Sequence, residues 1–179
     1  LKPASPAQYL YAMYLLNQGT TYTRVELQCD IDMAGVSRGS DSGVSSLNSS
    51  TYFRQGTPRE IPANKVVDGN GYSIKNFGSF NSISLYSTIK GTVENLVIDS
   101  SYIVRLTATN LGILANNIQG GTVRNVTIKN STLNMLAATG SDAFAYGTIA
   151  GTISGSAKST ISRCEVIDTV IKHTDNNTE

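Results

Sequence analysis

The sequence predicts an all-β chain that folds as a right-handed parallel β-helix with an N-terminal capping α-helix. Three observations support this class: a repeated four-residue motif, a second apolar block that recurs in the same order, and opposite charges that match between repeats. Only 15% of the 179 residues are charged, whereas 40% are hydrophobic. Average soluble domains carry about 25% charged residues. So low a charge, with many Ser, Thr, Asn and Gly residues, is typical of a single β-rich domain.

The four-residue motif has an apolar residue at each end. It occurs at 74–77, 93–96 and 123–126, and in degenerate form at 161–164, at spacings of 19, 30 and 38 residues. Three residues between apolar positions break the two-residue alternation of a strand, so we expect a bend within each copy. Asn tolerates the left-handed conformation of such a bend. Stacking the copies places Ile74 in the same column as Val93 and aligns Asn76, Asn95 and Asn125 in a structural amide ladder.

A second apolar block follows the same order. Gly-Ile-Leu-Ala at 112–115 matches Gly-Thr-Ile-Ala at 147–150, Ile118 matches Ile153, and Leu85 and Ile89 keep the spacing one repeat earlier. Repeats with fixed segments and variable loops indicate a solenoid.

Charged residues support this register. The alignment places Glu94 beside Arg124 and Asp99 beside Lys129, two opposite-charge pairs across neighbouring strands. Exposed pairs of this kind contribute little energy, so their value here is as evidence for the register.

The N-terminal residues predict the capping helix, over roughly residues 6–18. Ser5 and Gln8 form a capping box with Pro6 at the first helical position. Tyr9, Ala12, Met13 and Leu16 then follow at helical spacing. We expect this apolar stripe to cover the open edge of the first coil.

The rest of the chain divides into three parts. Alternating apolar residues from Val25 to Met33 predict a strand with one buried face, which includes Cys29. Residues 34–60 form a long Ser- and Gly-rich loop, and residues 61–174 form the repeated rungs. Cys29 and Cys164 are separated by at least four rungs, too far for a disulfide. Because the chain starts without Met or a signal segment, we expect it to be part of a longer protein.

Several segments resemble bacterial surface β-helix proteins with GLUG repeats, of the Bacteroidetes type. The matching segments are Asp-Ile-Asp-Met-Ala-Gly at 30–35, Val-Asp-Gly-Asn-Gly-Tyr-Ser-Ile-Lys-Asn-Phe at 67–77, Gly-Thr-Val-x-Asn at 91–95 and 121–125, and Gly-Thr-Ile-Ala-Gly at 147–151. Two positions depart from the pattern: Asn116 replaces a glycine of the GLUG core, and Arg163 interrupts the asparagine ladder.

The resemblance implies an adhesin-like protein, secreted or on the cell surface, that binds host or matrix glycans or proteins and has no assigned active site. Composition is compatible with this. The net charge of +1 gives no basis for binding nucleic acid, and no apolar run is long enough to span a membrane. Two cysteines and one histidine exclude a Cys/His zinc cluster. We expect a monomeric domain with no cofactor and no metal.

The alternative is a polysaccharide-processing enzyme or carbohydrate-binding module on the same fold. Asp30 and Asp32 share a strand face at about 6.5–7 Å between Cα atoms, which overlaps the carboxyl separation of inverting glycosidases. Asp68 lies on a nearby rung, and such carboxylates can also bind calcium. The favoured interpretation is that all three are solvated outer-face residues.

One cluster in the long loop is a candidate ligand-binding site. Tyr52, Phe53 and Arg54 combine aromatic and cationic groups that commonly contact sugars or proteins. The same aromatic residues are equally suited to fix the loop to the coil.

Overall fold

The computed structural model describes residues 1–34, 60–79, 84–105, 110–136 and 145–174. Within these ranges every strand pairing is parallel and joins equivalent strands of successive passes of the chain. The described part of the chain is therefore an all-β parallel β-helix, as the repeats predict, with one helix, α1. Its right-handed sense follows from the general preference of parallel crossover connections and stays a prediction.

Five passes of the chain, here called coils 1 to 5, occupy residues 24–33, 60–79, 84–105, 110–136 and 145–174. Their strands are β1 (Arg24–Glu26), β2 (Ile31–Asp32), β3 (Val66–Asp68), β4 (Ser73–Lys75), β5 (Gly78–Ser79), β6 (Tyr86–Ile89), β7 (Thr92–Asp99), β8 (Tyr102–Arg105), β9 (Asn110–Gly112), β10 (Ala115–Gln119), β11 (Thr122–Lys129), β12 (Thr132–Leu136), β13 (Ala145–Gly147), β14 (Ala150–Ser154), β15 (Thr160–Ser162), β16 (Glu165–Ile167) and β17 (Val170–Thr174).

The strands of the described ranges stack into four parallel sheets. Sheet A contains β1 and β2, β3 and β4, β7, β11, and β15 and β16, in coil order. Sheet B is β6-β10-β14, sheet C is β5-β8-β12-β17, and the small sheet D pairs β9 with β13. Each long strand of sheet A bends at an asparagine with positive φ, Asn95 (50°) in β7 and Asn125 (53°) in β11. The bend that the motif predicts is therefore present in both strands.

The core consists of apolar columns that run through the coils. Val25, Val67, Val93 and Val123 are mutual register partners, and each is 0% exposed. Branched side chains pack well at such positions on a pleated surface. The other columns are Ile31-Ile74-Ile98-Ile128-Val166, Leu96-Val126, Ile61-Ile89-Ile118-Ile153 and Ile103-Leu133-Ile171.

One predicted register is wrong. Ile74 does not lie in the column of Val93; it pairs with Ile31 and Ile98, and Val67 pairs with Val93 instead. In coils 3 and 4 the long strand of sheet A has two corners, and each corner is an apolar residue, a polar residue and then a residue with positive φ: Asn95 and Ser100 in coil 3, Asn125 and Asn130 in coil 4. The motif at 74–77 is a copy of the second corner, whereas the motifs at 93–96 and 123–126 are copies of the first.

Glycine takes the first-corner position in coil 2. A Cβ atom on Gly69 would lie 2.4 Å from the carbonyl oxygen of Asn95 and 2.5 Å from the Cα atom of Leu96. Backbone atoms cannot yield at that distance, so only glycine fits here. The Asp-Gly-Asn-Gly turn therefore lets coil 2 pass closely under the bend of coil 3.

The capping helix α1 spans Pro6–Leu16, two residues shorter than predicted. Ser5 Oγ accepts a hydrogen bond from the Gln8 amide at 3.3 Å, and Gln8 Oε1 accepts one from the Ala4 amide at 2.8 Å. These reciprocal bonds satisfy two amide groups at the helix start. The predicted stripe is buried, together with Leu10.

The buried face of α1 is joined to the coils by polar contacts as well. The hydroxyl groups of Tyr9 and Tyr86 lie 2.9 Å apart in the core. Asn17 Nδ2 donates to the carbonyl of Met13 at 2.9 Å and to the carbonyl of Glu60 at 3.1 Å. The helix therefore contacts residues of coils 2 and 3 in addition to coil 1.

The first predicted strand is divided into β1 and β2. Val25, Leu27, Ile31 and Met33 are fully buried, as the alternation predicts, whereas Cys29 is only half-buried. Cys29 Sγ lies 3.3 Å from the carbonyl oxygen of Ala4. Both cysteines are free thiols.

Candidate functional site

Asp30, the first candidate carboxylate, connects coil 1 to coil 2. Its Oδ2 lies 2.5 Å from Lys75 Nζ, and its Oδ1 accepts a hydrogen bond from the Ser73 amide at 2.9 Å. The Lys75 contact, together with the Ser73 amide, lowers the pKa of Asp30 to about 2. A general acid needs a raised pKa, so that its carboxyl group stays protonated. Lys75 and the Ser73 amide instead stabilise the deprotonated carboxylate of Asp30.

Asp32 makes the same kind of connection. Its Oδ1 accepts hydrogen bonds from Asn76 Nδ2 at 2.8 Å and from the Ala34 amide at 2.9 Å. These bonds, Asn76 foremost, lower the pKa of Asp32. Asp30 directly precedes β2 and Asp32 is its last residue; both are exposed, and each is engaged by groups that favour the carboxylate anion.

Asp68 lies on a different row of the same sheet. Its register partners are Glu26 in coil 1 and Glu94 in coil 3, whereas Asp32 is opposite Lys75. Asp68 Oδ1 accepts hydrogen bonds from the Asn70 amide at 2.8 Å and from Asn95 Nδ2 at 3.0 Å. The structure therefore does not bring the three candidate carboxylates into one constellation.

Asp68 belongs instead to what we call the arginine–carboxylate row. Glu26, Asp68, Glu94 and Arg124 are successive register partners, and Arg24 reaches across the first three. Like charges on neighbouring strands repel, so the three adjacent carboxylates need the two guanidinium groups.

The centre of this row is buried. Glu94 Oε1 lies 3.1 Å from Arg24 Nη2, and Glu94 Oε2 lies 2.7 Å from Arg124 Nε. Arg24 Nη2 also bonds Asp68 Oδ2. Glu94 is 5% exposed and Asp68 is 7% exposed. The predicted Glu94–Arg124 pair exists, but the expectation of an exposed pair is wrong because Glu94 lies between two arginines.

A second row on sheet A alternates in sign. Asp32, Lys75, Asp99 and Lys129 are successive register partners on coils 1 to 4. Lys129 Nζ lies 3.5 Å from Asp99 Oδ2, which is the second predicted ion pair. Asn130 Nδ2 donates to Asp99 Oδ1 at 2.9 Å, and this bond is the main reason that the pKa of Asp99 is lowered.

The asparagine ladder contains two of its three predicted members. Asn125 Nδ2 donates to Asn95 Oδ1 at 2.8 Å, and Asn95 Nδ2 continues the ladder to Asp68. The third prediction, Asn76, is wrong: this residue lies at the second corner and bonds Asp32, much as Asn130 bonds Asp99. Arg163 keeps the positive φ (51°) of the first corner without continuing the amide ladder.

The outer side of sheet B carries a polar surface that the sequence motifs do not reveal. Thr88, Asn117 and Thr152 are register partners on coils 3, 4 and 5. Thr152 Oγ1 lies 3.2 Å from Asn117 Oδ1, and Asn117 Nδ2 donates to Ser154 Oγ at 2.8 Å. We call these four residues the amide–hydroxyl face. The signal in the sequence is the three-residue spacing between Ala115 and Ile118, both 0% exposed, which places the half-buried Asn116 and Asn117 between two core positions.

Other candidate groups give no further site in the described ranges. Tyr52, Phe53 and Arg54 lie outside the described residues. Among the residues described, no three His, Cys, Asp or Glu side chains are grouped so that they could hold a metal ion. No helix in the described ranges has the length and hydrophobicity needed to cross a bilayer.

Comparison with known proteins adds no relative. No protein-family model, curated protein or solved structure matches the chain.

Proposed function

We propose that this chain is an adhesin-like scaffold, secreted or on the cell surface, whose outer faces bind glycans or proteins. The observation that carries the proposal is the use made of the candidate carboxylates. Asp30, Asp32 and Asp68 each bond a residue of a neighbouring coil. Carboxylates that bond one coil to the next stabilise a rigid binding surface. Because they are held as anions by these bonds, they are poorly suited to proton transfer.

The amide–hydroxyl face is the best-supported contact surface. It presents neutral donors and acceptors at register positions of three successive coils. Neighbouring strands lie about 4.8 Å apart, so the face offers a regular array of hydrogen-bonding groups. Sugar hydroxyls and extended peptide backbones both carry the complementary donors and acceptors. The resemblance to GLUG-type surface proteins supports the same class of ligand and is itself a proposal.

One observation favours the enzyme alternative. Asp68 and Glu94 are paired carboxylates bridged by Arg24, and a carboxylate pair beside a basic residue is an arrangement that polysaccharide-processing enzymes use. For catalysis Arg24 would have to leave at least one of them to the substrate. The bonds in this row therefore favour a structural role, and activity measurements decide between the two functions.

The deciding experiment combines a glycan and matrix-protein array with a polysaccharide-degradation screen on the same purified chain. Asn117→Arg places a long charged side chain on the amide–hydroxyl face and should weaken binding at least about tenfold. Thr127→Arg, an outward position on sheet A, is the matched control and should bind like the parent.

Two outcomes would contradict the proposal. Equal binding by the parent, Asn117→Arg and Thr127→Arg would exclude the amide–hydroxyl face as the contact surface. Depolymerisation that is lost in both Asp68→Asn and Glu94→Gln, with unchanged circular dichroism spectra, would establish the enzyme alternative instead.

A further inference from the structure

Sheet B differs from sheet A in the charge of its strands. The described strands of sheet B, β6, β10 and β14, contain no charged residue, whereas sheet A carries two rows of charged side chains. Lys90, which directly follows β6, is paired with Glu60 at 3.0 Å. Because a neutral surface complements a neutral ligand, the amide–hydroxyl face favours an uncharged partner.

The polar groups of sheet B repeat along the axis of the β-helix. Thr88, Asn117 and Thr152 occupy one register position on coils 3, 4 and 5. Strands of successive coils lie about 4.8 Å apart, so these three side chains span about 10 Å. Gln119 and Ser154 are register partners two residues further along their strands. The polar side chains therefore form two parallel rows that follow the axis.

Hydrogen bonds between coils 4 and 5 hold these side chains in place. Asn117 Nδ2 donates to Ser154 Oγ at 2.8 Å, and Thr152 Oγ1 lies 3.2 Å from Asn117 Oδ1. A primary amide has two N–H groups and a hydroxyl oxygen has two lone pairs, more than these contacts use. Side chains that are already ordered lose less conformational entropy when a ligand binds. The face is therefore prepared for further hydrogen bonds.

The spacing of the coils distinguishes a polysaccharide from a peptide. Groups on one side of an extended peptide recur every second residue, at about 6.6 Å. Over the two intervals from coil 3 to coil 5, that repeat falls about 4 Å out of step with the coils. One sugar unit of an extended, β-1,4-linked polysaccharide advances by nearly the spacing of two coils and carries hydroxyl groups at every step. Such a chain therefore stays in step with the face.

We propose that the amide–hydroxyl face binds an uncharged, extended polysaccharide that lies along the axis of the β-helix, with one sugar unit on each coil. This inference rests on the proposed function and adds the class and the direction of its ligand. Because the face lies on the outer side of sheet B, a further coil would lengthen it without covering it.

The test measures affinity as a function of ligand length. Neutral β-1,4-linked oligosaccharides of glucose, N-acetylglucosamine and mannose, from one unit to six, are titrated into the whole chain by calorimetry. In at least one series the affinity should rise at least about tenfold between one unit and three and then level off. Oligosaccharides of galacturonic acid and a neutral, extended peptide of similar length should bind at least about tenfold more weakly.

Two variants shorten the face without adding bulk. Thr88→Val and Thr152→Val each replace a hydroxyl group by a methyl group at one end of the row, and valine keeps the branched shape that suits a strand. Each variant should bring the plateau from three units to two and leave affinity for the two-unit ligand within about twofold. Thr127→Val on sheet A, where the register partner is Val97, is the matched control and should keep the plateau at three.

Three outcomes would overturn this inference: no neutral series binds, the acidic oligosaccharides or the peptide bind more tightly, or the plateau is the same in both valine variants as in the parent. If the glycan and protein array still shows binding that Asn117→Arg weakens, the adhesive role stands and only the ligand class is wrong. An array without such binding would contradict the proposed contact surface and this inference together.

Discussion

The two ends of the β-helix differ in burial at positions that share the same columns. At the N-terminal end Val25 and Ile31 are 0% exposed. At the C-terminal end Ile161 and Val166, in the same two columns, are 39% and 45% exposed. Both ends of the β-helix have apolar residues at these inward positions. An inward position is therefore buried only when another layer lies on each side of it, which α1 supplies for coil 1.

The largest expected effect removes that layer. Leu16 is 0% exposed in the face of α1 that covers coil 1. Leu16→Asp buries an unpaired charge and should lower the free energy of unfolding by about 4 kcal/mol or more. Ile153→Asp makes the same kind of change at the other end, where 60% exposure lets the charge reach water. Urea melts in which both variants lose similar stability would contradict the difference between the ends.

The next largest effect on stability is expected from alanine substitutions at two residues of one core column. Ile118 and Ile153 are register partners on successive coils, 0% and 60% exposed. Ile118→Ala should cost roughly 3 kcal/mol because it leaves a cavity in a closed core. Ile153→Ala should cost less than about 1 kcal/mol, since little buried surface is lost. Thermal melts of the two variants measure the protection that coil 5 gives to coil 4.

The arginine–carboxylate row allows the same comparison, between a buried and an exposed position, to be made with charged residues. Glu94→Gln removes the charge that holds Arg24 and Arg124 in place. We expect a loss of about 2 kcal/mol, below the full cost of breaking a buried pair because both arginines stay partly hydrated. Glu165→Gln, on exposed β16, should change stability by less than about 0.5 kcal/mol. Equal effects in denaturant melts would mean that Glu94 is hydrated in solution.

The buried tyrosine pair predicts a loss of the cap at high pH. Burial raises the pKa of both Tyr9 and Tyr86 above the ordinary value of 10.0. Because the folded-state pKa exceeds the unfolded value, the stability contributed by the neutral pair is complete below pH 10 and falls as pH rises above it. Tyr9→Phe should cost about 1 kcal/mol at neutral pH and lose part of this alkaline dependence. A pH series of melts from neutral to strongly alkaline provides the measurement.

The smallest expected effect is at low pH. The pKa of Asp30 is lowered from 3.8 to about 2 by Lys75 and the Ser73 amide. Because the folded-state pKa is below the unfolded value, this stabilisation is complete above about pH 4 and is lost as pH falls toward 2. Solvent screening limits it to less than about 1 kcal/mol. Asp30→Asn should flatten the acid limb of the stability curve, whereas Asp168→Asn on coil 5 serves as the control; identical acid limbs would remove Asp30 as a contributor.

Sequence reasoning identifies coils 3 and 4 correctly because two kinds of information agree there. The Gly-Thr-Val-x-Asn repeats and the Glu94–Arg124 and Asp99–Lys129 pairs all select one register. The predicted register of coil 2 is wrong because the same pattern, an apolar residue, a polar residue and a bend, occurs at both corners of sheet A. Asn76 is therefore assigned to the wrong corner. Nothing in the local pattern distinguishes the corners; only the close approach of Gly69 to Asn95 does.

The candidate site is harder to predict than the fold for a related reason. A sequence shows that Asp68 and Glu94 are acidic, but their burial depends on Arg24, which lies 44 and 70 residues earlier in the chain. Such a contact depends on the register of coil 2, which the repeated motif predicts wrongly. The amide–hydroxyl face is also hard to predict, because its members are ordinary polar residues until three coils align them.

The spacing of paired residues has a consequence for how the chain folds. Strand pairings join residues that are 24 apart, as in Ser73 and Val97, to 43 apart, as in Ile31 and Ile74. No pairing in the described ranges needs a longer loop to close, so assembly can spread from one coil to the next as in other stacked repeats. The hydroxyl contact of Tyr9 with Tyr86 spans 77 residues. During synthesis the first helix of the chain must therefore wait for coil 3 before its docking site is complete.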